Sequence, residues 1–90
     1  MGLSAGDDIA DGMIGVIEDL FLDDTMKTTI YKGLIETLQE SGWETVEEVF
    51  YRSRCFDRAA YLLNPDCIGK EYTINKKGED WWEFITNHEA

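Results

Sequence analysis

A mainly α-helical domain of three to five helices with a small β element is the fold class the sequence predicts. Two observations carry the helical part. Ile30, Tyr31, Leu34, Ile35 and Leu38 recur at helical spacing opposite Lys32, Glu36, Gln39 and Glu40, and helix-stopping and helix-starting residues follow that run at once. The β part rests on a third, the short alternation around Tyr72 and Ile74 beyond the only proline, Pro65. Ninety residues suit one domain, which buries roughly 60–65% of its unfolded surface. It divides into an acidic N-terminal helix (1–25), a helical core (26–63) and a strand or turn with a C-terminal aromatic segment (64–90).

In chain order, Ser4 to Asp7 is a capping signal, and Ile9, Met13, Val16, Ile17, Leu20 and Phe21 fall at helical spacing. A first helix over 7–22 is predicted, weakened by Gly12 and Gly15. Asp23-Asp24-Thr25 breaks it and caps a second helix that begins near Met26. Ser41-Gly42 stops that helix, because glycine enters the left-handed conformation without a Cβ clash. Thr45 with Glu48 three residues on reads as a capping box, with Val46, Val49 and Phe50 as the apolar face behind it. A further helix from about Asp57 to Leu63 places Ala59, Ala60, Leu62 and Leu63 inside and ends at Asn64-Pro65.

The tail has two readings. Asn75-Lys76-Lys77-Gly78 suits a type I turn closed by a left-handed glycine, which makes residues 69–85 a β-hairpin. Alternatively, Asn75 caps a last helix in which Trp81, Trp82 and Ile85 share a face. A strand cannot bury both Trp81 and Trp82, so the pair are candidate interface anchors.

Charge is the strongest guide to function. The net charge is −11: residues 1–26 carry seven acids and no Lys or Arg, residues 27–51 five acids against two lysines, and residues 52–90 seven acids against six bases. Such self-repulsion costs stability, so the charge serves solubility or a partner. Direct nucleic-acid binding by the front half is not expected, because phosphates repel it. The candidate partner face is Asp7, Asp8, Asp11, Asp19, Asp23, Asp24, Glu36, Glu40, Glu44 and Glu47, meeting a basic surface on a protein such as a nucleic-acid-binding enzyme.

Other sites are weaker. Asp7, Asp11, Gly12, Ile14 and Glu18 match positions one, five, six, eight and twelve of a calcium loop, but Ile9 stands where the third ligand belongs. They resemble a degenerate EF-hand or a dockerin-type loop, which implies weak calcium binding by Asp7, Asp11 and Glu18. Arg52, Arg54 and Arg58 form the only arginine cluster, available to a partner or to the chain's own surplus carboxylates. Cys55, Cys67 and His88 lack metal-ligand spacing, and no other metal or cofactor is implied. Neither a nucleophile with its base nor a glycine-rich phosphate loop is visible, so an enzyme is not expected. No signal peptide or membrane span is expected, and two cysteines beside an ample core read as reduced thiols in the cytoplasm.

Tyr72-x-Ile74-Asn75-x-Lys77-Gly78-Glu79 resembles the Tyr-x-Leu-Thr-x-Lys-Gly-Glu string with which many winged-helix proteins leave the wing and enter their last helix. The resemblance, loosely over residues 26–85, implies helices at 26–41, 45–54 and 57–63 and a DNA-binding regulator that touches DNA through Arg52, Arg54 and Arg58, with dimerisation through the first helix. In composition, the chain is similar to small acidic phage-encoded inhibitors of the anti-restriction and anti-CRISPR kind, which implies a nucleic-acid mimic. That second likeness suits the charge best. A non-enzymatic, nucleic-acid-mimicking interaction protein is therefore the leading expectation, with the regulator and the calcium-binding domain as alternatives.

Overall fold

Helix α2 (Asp24–Glu40) shows how closely local signals set the ends of an element. Asp23 caps it, its Oδ1 accepting the Met26 N–H at 2.8 Å. At the other end Gly42 takes φ +101°, the Gly42 N–H donates to the Gln39 carbonyl and the Trp43 N–H to the Leu38 carbonyl. That is a Schellman motif, and glycine is what lets the chain turn there. Thr28, Tyr31, Ile35 and Leu38 are the buried face, while Ile30 is largely exposed.

The computed structural model describes residues 3–87. The other elements are α1 (Leu3–Glu18), α3 (Arg54–Leu63) and α4 (Lys76–Thr86), with 3₁₀ turns at Val46–Val49, Pro65–Cys67 and Lys70–Ile74. No strand occurs among the described residues, so the β element expected near 68–75, and with it the α+β class, is overturned. The segment is a five-residue 3₁₀ turn, in which Tyr72 is buried and Ile74 is exposed.

The hairpin reading of residues 69–85 fails with it. Asn75 caps α4, its Oδ1 accepting the Lys77 N–H at 2.8 Å. Gly78 serves a close approach and not a left-handed turn: a Cβ there would stand 1.9 Å from the Tyr72 carbonyl oxygen. Glycine is what allows α4 to lie directly on the preceding 3₁₀ turn.

Helix α3 is the centre of the molecule, packed chiefly against α2 and α4. Ser53 caps it by accepting the Phe56 N–H, so it starts three residues before the predicted Asp57. Cys55 to Ala60 are buried without interruption, and Phe56 meets Tyr31 edge-on with ring centroids 5.5 Å apart. The helix predicted at 45–54 is only the 3₁₀ turn Val46–Val49, because the Thr45 hydroxyl does not cap it. That hydroxyl donates instead to Asp7 Oδ1 at 2.6 Å.

Helix α1 differs most from its sequence reading. It begins at Leu3 and ends at Glu18, where the Asp19 and Leu20 amides tighten the last turn through bonds to Val16 and Ile17. Its buried side is Ala10, Ile14 and Ile17, one helical row, with Gly6 pressed so close to the Trp43 ring that a Cβ would stand 2.4 Å from it. Of the apolar residues named for the packed face only Ile17 is buried; Ile9, Met13, Val16, Leu20 and Phe21 face outward.

Candidate functional site

Since α1 docks through Gly6 and Trp43, its carboxylates fall into two sets. Asp7 Oδ1 accepts the Trp43 indole N–H at 2.8 Å as well as the Thr45 hydroxyl, and these two bonds hold its pKa below the usual carboxylate value. Asp11 forms an ion pair with Arg52. Glu18 gathers three elements: its Oε2 accepts from the Tyr31 hydroxyl at 2.7 Å and the Ser53 hydroxyl at 3.0 Å, while Oε1 lies 3.5 Å from Lys27 Nζ. Asp24, at the start of α2, meets Arg54 at 2.8 Å and accepts from the Cys55 thiol. Each of these four carboxylates is tied to a neighbouring element, Asp7 and Glu18 through hydrogen bonds to side chains and Asp11 and Asp24 through half-exposed ion pairs. The calcium-loop residues Asp7, Asp11 and Glu18 thus lie along one helix, each tied to a different neighbour, and the described residues contain no group of three or more His, Cys, Asp or Glu that could hold a metal.

The second set consists of Asp8 on α1, Asp19 just past its end, Asp23 at the start of α2, Glu36 and Glu40 one turn apart on α2, Glu44 before the first 3₁₀ turn and Glu47 in it. All are exposed, and none forms an ion pair among the described residues. Asp23 also caps α2. Glu44 and Glu47 edge a cavity of about 240 Å³ that Gln39, Asn64 and Cys67 also line. The only bases in residues 1–51 are Lys27, paired with Glu18, and Lys32.

The arginines serve the fold. Beyond its bond with Asp11, Arg52 donates to the Glu48 and Phe50 carbonyls. Arg54 lies 4.6 Å from the Phe84 ring centroid while it pairs with Asp24. Arg58 is buried, and its Nη1 donates to the carbonyls of Phe84, Ile85 and Asn87 at 2.7, 3.3 and 2.6 Å. It therefore closes the C-terminus of α4, where carbonyls lack helical partners and the dipole favours a cation. Trp81 and Trp82 are both half-buried, with Lys77 over the first ring and Tyr72 beside the second.

Sequence reasoning missed a polar cluster at the base of α3. The fully buried Asp57 accepts the Tyr51 N–H at 3.0 Å and the Tyr72 hydroxyl with the same oxygen, Oδ2, whereas Oδ1 has no hydrogen-bond partner among the described residues. Burial pushes its pKa up to about 6. Tyr51, held at φ +72°, stacks on Tyr72 at 4.6 Å and donates its hydroxyl to the Tyr72 carbonyl. No local pattern announces this cluster. Cys55 and Cys67 are free thiols, each pushed up to about 11 by burial, and His88 lies outside the described residues. No described helix is long and apolar enough to cross a membrane.

Comparison with protein families, with curated proteins and with solved structures finds no match to the chain.

Proposed function

We propose that this protein is a non-enzymatic interaction domain whose acidic surface occupies a basic, nucleic-acid-binding surface of another protein in place of nucleic acid. One observation carries the reading. Asp7, Asp11, Glu18 and Asp24 are each tied to a neighbouring side chain, whereas Asp8, Asp19, Asp23, Glu36, Glu40, Glu44 and Glu47 are exposed and form no ion pair among the described residues. Like charges left together on a small surface weaken the fold, and a basic groove relieves that repulsion while replacing its own phosphate contacts. Such a protein inhibits its target by competition and needs no chemistry of its own.

The test separates these acids from the structural ones. Wild-type protein and an Asp8→Asn/Asp19→Asn/Glu36→Gln/Glu40→Gln variant are immobilised and offered purified nucleic-acid enzymes from a host lysate, at about 0.05 M and about 0.5 M salt. The expected result is capture by the wild type alone, lost at high salt, with the captured enzyme unable to hold its nucleic acid. A captured enzyme that still binds nucleic acid, or equal capture by the variant, refutes the mimic.

A further inference from the structure

Helix α1 has two apolar faces and the fold uses one. Ala10, Ile14 and Ile17 are buried, whereas Ile9, Met13, Val16 and Leu20 repeat the same spacing one residue earlier and stay 39% to 56% exposed. Phe21, next in the chain, is fully exposed. Together they leave large apolar side chains open to solvent along and just beyond α1, a feature that marks interaction sites where such side chains are contiguous.

Beside this stripe runs a second row, Asp8, Gly12, Gly15 and Asp19. A Cβ at Gly12 or Gly15 would meet nothing within 4 Å, so no neighbour within the chain requires glycine there. Two glycines inside a helix nevertheless cost about 1 kcal/mol each relative to alanine. Their use is a low waist over which another backbone can lie close, with an apolar ridge on one side and unpaired carboxylates at both ends.

We infer that this face of α1 docks an amphipathic helix of the protein partner, one whose apolar side is bordered by Lys or Arg. The inference rests on the proposed engagement of a basic protein and names what that engagement needs besides charge. Charge decides between occupants. A second copy of this chain would bring Asp8 and Asp19 against the same carboxylates of its partner between two bodies of charge −11, while a basic-edged helix satisfies the carboxylates and covers the ridge together.

Two synthetic helical peptides of equal length and equal positive charge test it against the full chain. One is built of Leu and Lys with the leucines on one face; the other is built of Ala and Lys and has no large apolar face. Calorimetry at low salt measures binding, and sedimentation equilibrium records the oligomeric state of the protein alone. The Leu/Lys peptide should bind one to one, at least about tenfold tighter than the Ala/Lys peptide. Val16→Gln/Leu20→Gln, at exposed positions that leave the core intact, should remove that advantage, whereas Glu79→Gln/Glu83→Gln, exposed on α4, should weaken binding by less than about threefold. Equal affinity for the two peptides, or an unchanged preference in the Val16/Leu20 variant, overturns the inference and leaves the charge-based reading standing. Failure to bind either peptide overturns both. A dimer that Val16→Gln/Leu20→Gln dissociates and the peptide does not assigns the face to a second copy and overturns the inference as well.

Discussion

The carboxylate of Asp57 and the hydroxyl of Tyr72 meet inside the protein, at the point where α3 and the turn before α4 lie against each other. The same carboxylate oxygen accepts the amide of Tyr51, so one buried acid fixes both the entry to α3 and the seat of α4. The contact has an electrostatic cost. Burial raises the Asp57 pKa from 3.8 to about 6 against the pull of both hydrogen bonds, so the folded state holds this proton more tightly than the unfolded chain.

The sign of the pH dependence follows. Between about pH 4 and pH 6 the folded protein binds more protons at Asp57 than the unfolded chain does, so stability falls as pH rises through that window, by on the order of 3 kcal/mol. Asp7 acts oppositely: its lowered pKa supports the fold above the ordinary carboxylate range, and that support is lost as pH falls below it. Urea unfolding from pH 3 to pH 7 should therefore show maximal stability near pH 4, and Asp57→Asn should flatten the fall between pH 4 and pH 6. If the variant keeps the wild-type slope, Asp57 is not the group responsible.

The glycines give a prediction that changes sign with position. Gly33→Ala and Gly15→Ala add a methyl where nothing lies within 4 Å and should each stabilise by about 0.5–1 kcal/mol. Gly6→Ala drives a Cβ into the Trp43 ring and should cost about 1–3 kcal/mol, with faster amide exchange in α1. Gly78→Ala meets a backbone carbonyl, which cannot swing aside as a side chain can, and should cost about 3 kcal/mol or more. Thermal melts of the four variants decide the matter, and a neutral Gly78→Ala would refute the close approach of α4.

What the sequence disclosed depended on the range of each interaction. The limits of α2 were legible because Asp23 and Ser41-Gly42 act within one turn of their own helix. The face of α1 was not, because Ile9-Met13-Val16 and Ala10-Ile14-Ile17 are equally periodic and only the docking of Gly6 on Trp43 chooses between them. The strand expected around Tyr72 failed similarly: three alternating residues fit a 3₁₀ turn equally well, and the contacts that hold Tyr72 there come from Asp57 and Gly78. In the candidate site, the excess of acid was visible in the sequence but its division was not. Asp7 and Asp8 are neighbours in the chain, yet the first serves Trp43, 36 positions away, and the second serves nothing within the fold.

Arg58 should prove to be a structural cation. With three carbonyls of the α4 terminus on one guanidinium nitrogen, Arg58→Lys keeps the charge but loses the planar donor geometry, and should cost about 2 kcal/mol. Arg58→Ala should cost more and leave the last turn of α4 frayed, seen as faster exchange of the amides of residues 82–86. A folded Arg58→Ala protein with wild-type stability would refute the cap and return Arg58 to the surface role expected from its sequence.

The two thiols should be slow to react. Burial and the carboxylates of Asp24 near Cys55, and of Asp57, Glu47 and Asp66 near Cys67, disfavour a second negative charge and push both thiols up to about 11. At pH 8 each then holds a far smaller thiolate fraction than free cysteine, and only the thiolate attacks, so disulfide exchange with an aromatic reagent should run about a hundredfold slower than for free cysteine. Cys55, at 2% exposure, should lag behind the half-buried Cys67, and denaturant should release two equivalents at once. Fast reaction of either thiol in the folded protein would reveal an activated cysteine and restore catalysis as a reading; release of no thiol on unfolding would reveal a disulfide in place of the free pair.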